Sequence, residues 1–179
     1  MKKLISGLMA AAIMFTSSIS GSAKSVDYRV PACRDGSYGS FKSYTGYTCV
    51  SKSSPQWTKV LNNKKAKTSK SGFRKVGKYY CVAMGNYYFS DYGDVFKIKT
   101  QNGSFKVILC DMKADCHTDY SNSYTTHNNC VVEFYVDSAK FHRTAKLMGD
   151  CSYAGNKFKG KIVKITKLGN YFRNKKLRK

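Results

Sequence analysis

Apolar and polar residues alternate in short runs from Phe73 onward, and hardly at all before it. "YYCVAM" at 79–84 is a compact apolar run that predicts a buried strand. "DVFKIKT" at 94–100 sets Phe96 and Ile98 against Val95, Lys97 and Lys99, a period of two. Asn102-Gly103 predicts a hairpin turn, and "SFKVILC" at 104–110 pairs back. "CVVEFYVD" at 130–137 and "FKGKIVKITKLG" at 158–169 read as further strands. Between them, Ala139, Phe141, Ala145 and Leu147 recur at helical spacing, with Ser138 to cap the start and Gly149 to stop the end. Many short strands with one or two short helices predict a mainly β fold, a small barrel, over residues 73–170. Residues 24–72 carry apolar periodicity only around Trp57 to Leu61. Their Ser, Lys, Tyr and Gly content, and "NNKKAKTSKSG" at 62–72, predict a loosely ordered basic extension. Residues 171–179 read as a basic tail.

The start of the chain adds a destination. Lys2-Lys3, the apolar run Leu4 to Phe15 and the small residues Gly21-Ser22-Ala23 form the three parts of a secretory signal peptide over 1–23. The expectation is an exported, soluble chain with no stable membrane insertion, because the apolar run is shorter than the ~20 residues a span requires. Without that leader, 30 basic residues face 10 acidic ones, a formal charge of +20. Such a charge concentrates a protein on polyanions: anionic wall polymers, acidic polysaccharide, anionic membrane, or nucleic acid without sequence preference. All seven cysteines, Cys33, Cys49, Cys81, Cys110, Cys116, Cys130 and Cys151, follow the leader. In an oxidising compartment they are expected to form three disulfides with one thiol left over, and Cys33 with Cys49 is one local possibility. No paired Cys/His spacing of the zinc type is present.

Candidate chemistry concentrates where the strand at 104–110 ends. Asp111, Asp115 and Asp119 are three of the ten acidic residues of the chain, and Lys113, Cys116 and His117 stand among them. Glu133, the one glutamate, sits inside an apolar strand. There it is costly unless it faces water or has a partner. Burial favours the protonated carboxyl that a general acid needs, whereas plain alternation allows the side chain to face solvent. Paired carboxylates cut glycosidic bonds, and a single placed carboxyl can act as acid and then as base. Asp115, His117 and Asp119 are two apart and would share one side of an extended segment, where with Asp111 they offer oxygen and imidazole ligands to a cation or make ordinary loop turns. No resident cofactor or metal is expected. Tyr87 and Tyr88, and the stretch from Tyr120 to Tyr124, put aromatic faces near loops, suited to stacking on sugars or bases and equally to sheet packing.

"YYCVAMGNYYFSDYGDVFKIKTQNGSFKVILCDMKAD", then "CVVEFYVDSAKF" and "MGDCS…FKGKIVKITKLG", resembles the six-stranded double-psi β-barrel group over residues 73–169. That group includes rare lipoprotein A-like domains, the 3D domain of membrane-bound lytic transglycosylase A, and barwin and expansin-like proteins. The resemblance places Asp111 where the lytic transglycosylases carry their acid/base aspartate. It places Glu133 on the second acidic position, with Asp137 as the alternative. It implies cofactor-free cleavage of peptidoglycan glycan strands, with Lys113, Asp115, His117, Tyr87 and Tyr88 contacting or tuning substrate. Asp111 is followed by Met112-Lys113, where well-studied members have Gly-Gly or Arg-Gly-Pro. Three functions fit: a secreted, cell-wall-associated, monomeric glycan-cleaving enzyme; a non-catalytic glycan or polyanion binding module of the same fold; and a secreted cationic protein active on nucleic acid or antimicrobial.

Overall fold

A computed structural model describes residues 25–179, and the expected signal peptide lies outside the described residues. The protein is mainly β. Its strands are β1 (Val26–Tyr28), β2 (Tyr44–Gly46), β3 (Ala66–Thr68), β4 (Arg74–Val76), β5 (Tyr79–Met84), β6 (Asp94–Thr100), β7 (Gly103–Met112), β8 (Glu133–Val136) and β9 (Ile162–Asn170). They join one mixed sheet whose main path runs β1-β9-β6-β7-β5-β4-β3. The β6–β7 hairpin is antiparallel, β7 runs parallel to β5, and β8 pairs antiparallel with the far half of β5. β2 lies parallel to β8.

Two apolar clusters cover the two faces of this sheet. Phe96, Ile98, Phe105, Val107, Leu109, Phe134, Phe158 and Ile165 pack on one face. Cys81, Ala83, Val95, Ile108, Cys110 and Tyr135 pack on the other. The alternation along β6 and β7 sends neighbouring residues to opposite clusters, as a pleated strand must.

The second cluster corrects the expectation of a loose arm. Val60 and Leu61, from a single π-helical stretch Gln56–Leu61, are fully buried in it. β1 pairs with β9, and β2 with β8, so residues 26–28 and 44–46 are also part of the sheet. Tyr171, in the expected tail, is buried in the same cluster. A sheet with two apolar faces needs two covers, and the chain ends supply the second. Lys42 is fully buried within this segment, and its Nζ donates to the carbonyls of Gly39, Ser40 and Gly160 at 3.1, 2.9 and 3.1 Å.

The expected helix over 138–150 contracts to α1 (Arg143–Met148), capped by His142 rather than Ser138 and ended by Gly149 in the left-handed conformation. Residues before it are held in a turn, where Asp137 Oδ1 accepts from the Ala139 amide and Phe141 is pressed against Gly72. All seven cysteines are free thiols. Cys33 Sγ donates to the Asn129 carbonyl at 3.6 Å, whereas Cys49 is exposed on a separate turn, so the local pair expected between them is not formed.

Candidate functional site

β7 carries one residue more than β5 can match. Val82 stands opposite Leu109, but Ala83 stands opposite Asp111, so Cys110 is the extra residue of a β-bulge. In an unbulged strand Asp111, two residues after Leu109, would face the cluster that holds Leu109. With the bulge, Asp111 shares the face of its cross-strand neighbour Ala83. Glu133, on β8, is the other cross-strand neighbour of Ala83. The two acidic residues therefore flank a small residue on one face of the sheet, two strands apart, or about 10 Å between backbones. Bulges beside functional sites re-aim side chains in this way.

The Asp111 carboxylate is half-buried and held by three donors. Its Oδ1 accepts from Gln56 Nε2 at 3.0 Å and from the Met112 amide at 2.9 Å. Its Oδ2 accepts from the Tyr135 hydroxyl at 2.5 Å. All three partners are donors, and they fix the orientation of the carboxyl group. Burial, with the charges of Cys110 and Asp111, pushes the Tyr135 phenol far above its ordinary value, so the hydroxyl keeps its proton and remains a donor.

Gln56 reaches Asp111 because its helical stretch is clamped. The Arg74 guanidinium donates twice to the Leu61 carbonyl at the end of that stretch, at 2.9 and 2.6 Å. It also lies over the Tyr47 ring, which stacks on Trp57 at 5.9 Å. A cleft of about 390 Å³ opens on the same helical stretch, lined by Thr58, Lys59, Tyr92, Phe172 and Arg173 among others. Burial first, and then the charge of Asp111, raise the Tyr92 phenol.

The other expected site residues divide. Lys113 is buried, and its Nζ donates to Thr125 Oγ1 at 2.7 Å and pairs with Glu133 Oε2 at 3.5 Å. It is not the free substrate-facing cation expected, because a buried ammonium requires such partners. Glu133 has a side chain 28% exposed and spends its charge on Lys113. Asp115 and His117 form an exposed helical turn, and neither side chain makes a hydrogen bond or ion pair among the described residues. Asp119 turns inward instead of joining them. Its Oδ1 accepts from the Ser123 and Tyr124 amides at 2.7 and 3.0 Å, and its Oδ2 from the Ser121 amide at 3.1 Å. Burial opposes this charge, yet the bonds from Ser121, Tyr124 and Ser123 hold the carboxyl below its usual range. Among the described residues no group of three His, Cys, Asp or Glu side chains is placed to hold a metal ion. Tyr87 is exposed, but Tyr88 is fully buried and packs on Tyr28 and Phe96, which removes it from contact with any substrate.

Gln56, Tyr135 and Thr125 went unnoticed in the sequence. Tyr135 had a readable signal, because it lies two residues after Glu133 and so shares its face. Gln56 had none, since its approach to Asp111 depends on tertiary packing 55 residues away. The fold and site thus define a mainly β protein with a hydrogen-bonded carboxylate at a strand bulge. Comparison with family models, with curated proteins and with solved structures gives no match.

Proposed function

We propose that the protein is exported and associates with the cell wall, where it cleaves peptidoglycan glycan strands in the manner of a lytic transglycosylase, with Asp111 as acid and base. The observation that carries this reading is the bulge that turns Asp111 out of register, onto the face of Glu133 and Tyr135. The finer fold reading is a double-psi β-barrel. It is supported by the parallel β5–β7 pair, the antiparallel β5–β8 pair and an aromatic-rich inner cluster.

In this reaction protonated Asp111 gives its proton to the glycosidic oxygen, and the bond from that oxygen to C1 breaks. The resulting carboxylate then takes the proton of the C6 hydroxyl as that oxygen bonds to C1, leaving a 1,6-anhydro end. Atoms balance without water or cofactor. The Tyr135 hydroxyl, a donor to the carboxylate, can rotate to accept from the protonated acid. Glu133, neutralised by Lys113, holds the neighbouring strand end in place rather than transferring protons. The leader pattern and the excess of 32 basic over 10 acidic residues support export and retention on an anionic wall.

The second reading is a binding module of the same fold without turnover. It is favoured by the full hydrogen bonding of Asp111, which suits a positioned structural carboxylate as well as a catalytic one. One experiment separates the two: wild type and Asp111→Asn are incubated with purified peptidoglycan, and soluble products are read by mass spectrometry. Anhydro-ended fragments from wild type, reduced at least roughly 10²-fold in the variant, support the enzyme. Sedimentation of both proteins with the wall and no release from either leaves the binding module. Neither release nor sedimentation overturns both.

A further inference from the structure

A second cleft, of about 270 Å³, lies away from Asp111 and is lined by Arg29, Tyr87, Asp119, Tyr120, Ser121 and Tyr124 among others. Three segments distant in sequence build it: the chain after β1, the turn Asn86–Tyr88, and the loop that Asp119 organises. Its walls are fixed. Asp119 accepts the amides and hydroxyls of its own loop. The Tyr87 amide donates to the Asn122 carbonyl at 3.1 Å. The Tyr87 ring is braced edge-on by Tyr28 and Tyr88, at 5.6 and 5.0 Å. At the rim, Tyr120 is fully exposed and Tyr87 is 44% exposed, although nothing in the fold requires either ring at the surface.

In a chain with 32 Lys and Arg, one Arg and one Asp line this cleft, so its formal balance is zero and it offers a polyanion no net charge. Two exposed aromatic rings, each carrying its own phenol hydroxyl, match a ligand that has apolar ring faces and hydroxyl edges. The neighbouring Tyr88 hydroxyl is buried without a hydrogen-bond partner, and burial, together with Tyr87, Cys33 and Asp119, pushes its phenol far up.

We propose that this cleft is a saccharide subsite that takes an uncharged stretch of glycan by stacking on Tyr87 and Tyr120. The assignment deepens the wall-glycan reading and rests on it for the source of the sugar. The test titrates the full protein with tetra-N-acetylchitotetraose and follows backbone amide resonances, for wild type and Y87A/Y120A. Saturable shifts confined to Tyr87 and residues 120–124 are expected, insensitive to salt. The double variant should bind at least roughly tenfold more weakly, and D111N serves only to test lysis of the wall. Both replaced side chains are exposed, and an unchanged melting temperature verifies the fold. Unmoved resonances at these positions, or equal binding by the double variant, overturn the subsite. Binding that weakens with salt points to attraction by the general positive charge and overturns it too. Wall lysis without tetrasaccharide binding removes the subsite and leaves the catalytic reading, whereas binding without lysis does the reverse.

Discussion

At the scale of single residues, Lys42 is the position where the fold meets its highest electrostatic demand. Burial draws its ammonium down to about 8 from an ordinary 10.5, with Asp150 acting against that shift. Three carbonyls receive its three protons. Below pH 8 the side chain is charged in both folded and unfolded chains, and the burial penalty is complete. Between pH 8 and 10.5 the unfolded chain still binds a proton that the folded one has released, so stability rises with pH through this window. Comparison with Lys42→Met isolates this effect from the other lysines and the phenols. The stability difference, wild type minus variant, is expected to grow by up to about 3 kcal/mol between pH 7 and 10.5 in denaturant titrations. A flat difference would show that Lys42 titrates normally. At pH 7 the variant should be less stable by about 1–3 kcal/mol, because three carbonyls lose their donor.

At the scale of elements, the loop after β7 is fitted onto the end of β5. A Cβ added at Gly85 would collide with the Asn122 carbonyl oxygen, and backbone atoms cannot yield as a flexible side chain can. Gly85→Ala should therefore lower the melting temperature by several degrees. It should also raise amide exchange across residues 118–126; an unchanged melt would mean that the loop is not seated there. Much of the central sheet was legible in the sequence. β5 and β6 occupy the predicted residues, because their apolar runs and alternation are what a half-buried or buried strand demands. β8 is half the predicted length, since Cys130 pairs with Thr125 of the preceding loop instead, and Val131 and Val132 are buried by packing rather than by pairing. β1, β2 and β3 were not legible. Each has three residues, "VDY", "YTG" and "AKT", and joins the sheet through backbone bonds that leave no apolar period. Asp111 and Glu133 were found as isolated acids. Their shared face was hidden, because it depends on a register shift between two strands.

At the scale of the whole molecule, the thiols report how the two faces of the sheet are closed. Cys81, Cys110, Cys130 and Cys151 are buried, whereas Cys49 and Cys116 are exposed. Burial pushes the Cys110 and Cys151 thiols up, which suppresses the reactive thiolate. Alkylation of the folded, reduced protein should modify Cys49 and Cys116 within minutes and spare the four buried positions until denaturant is added, as read by peptide mass mapping. Early labelling of Cys81 or Cys110 would show that the cover formed by Val60, Leu61 and Tyr171 opens in solution.

Leu109 and Asp111 are two residues apart, and in an unbroken strand they would share a face; the bulge at Cys110 sets them on opposite faces. Were the bulge flattened with its residue retained, Asp111 would swing to the side of Val82 and Phe134, amid aromatic rings. Excision of position 110 would instead seat Asp111 directly after Leu109 in regular alternation, still opposite Ala83. Along this stretch a shortened chain keeps the aim of the carboxylate, whereas a straightened one loses it.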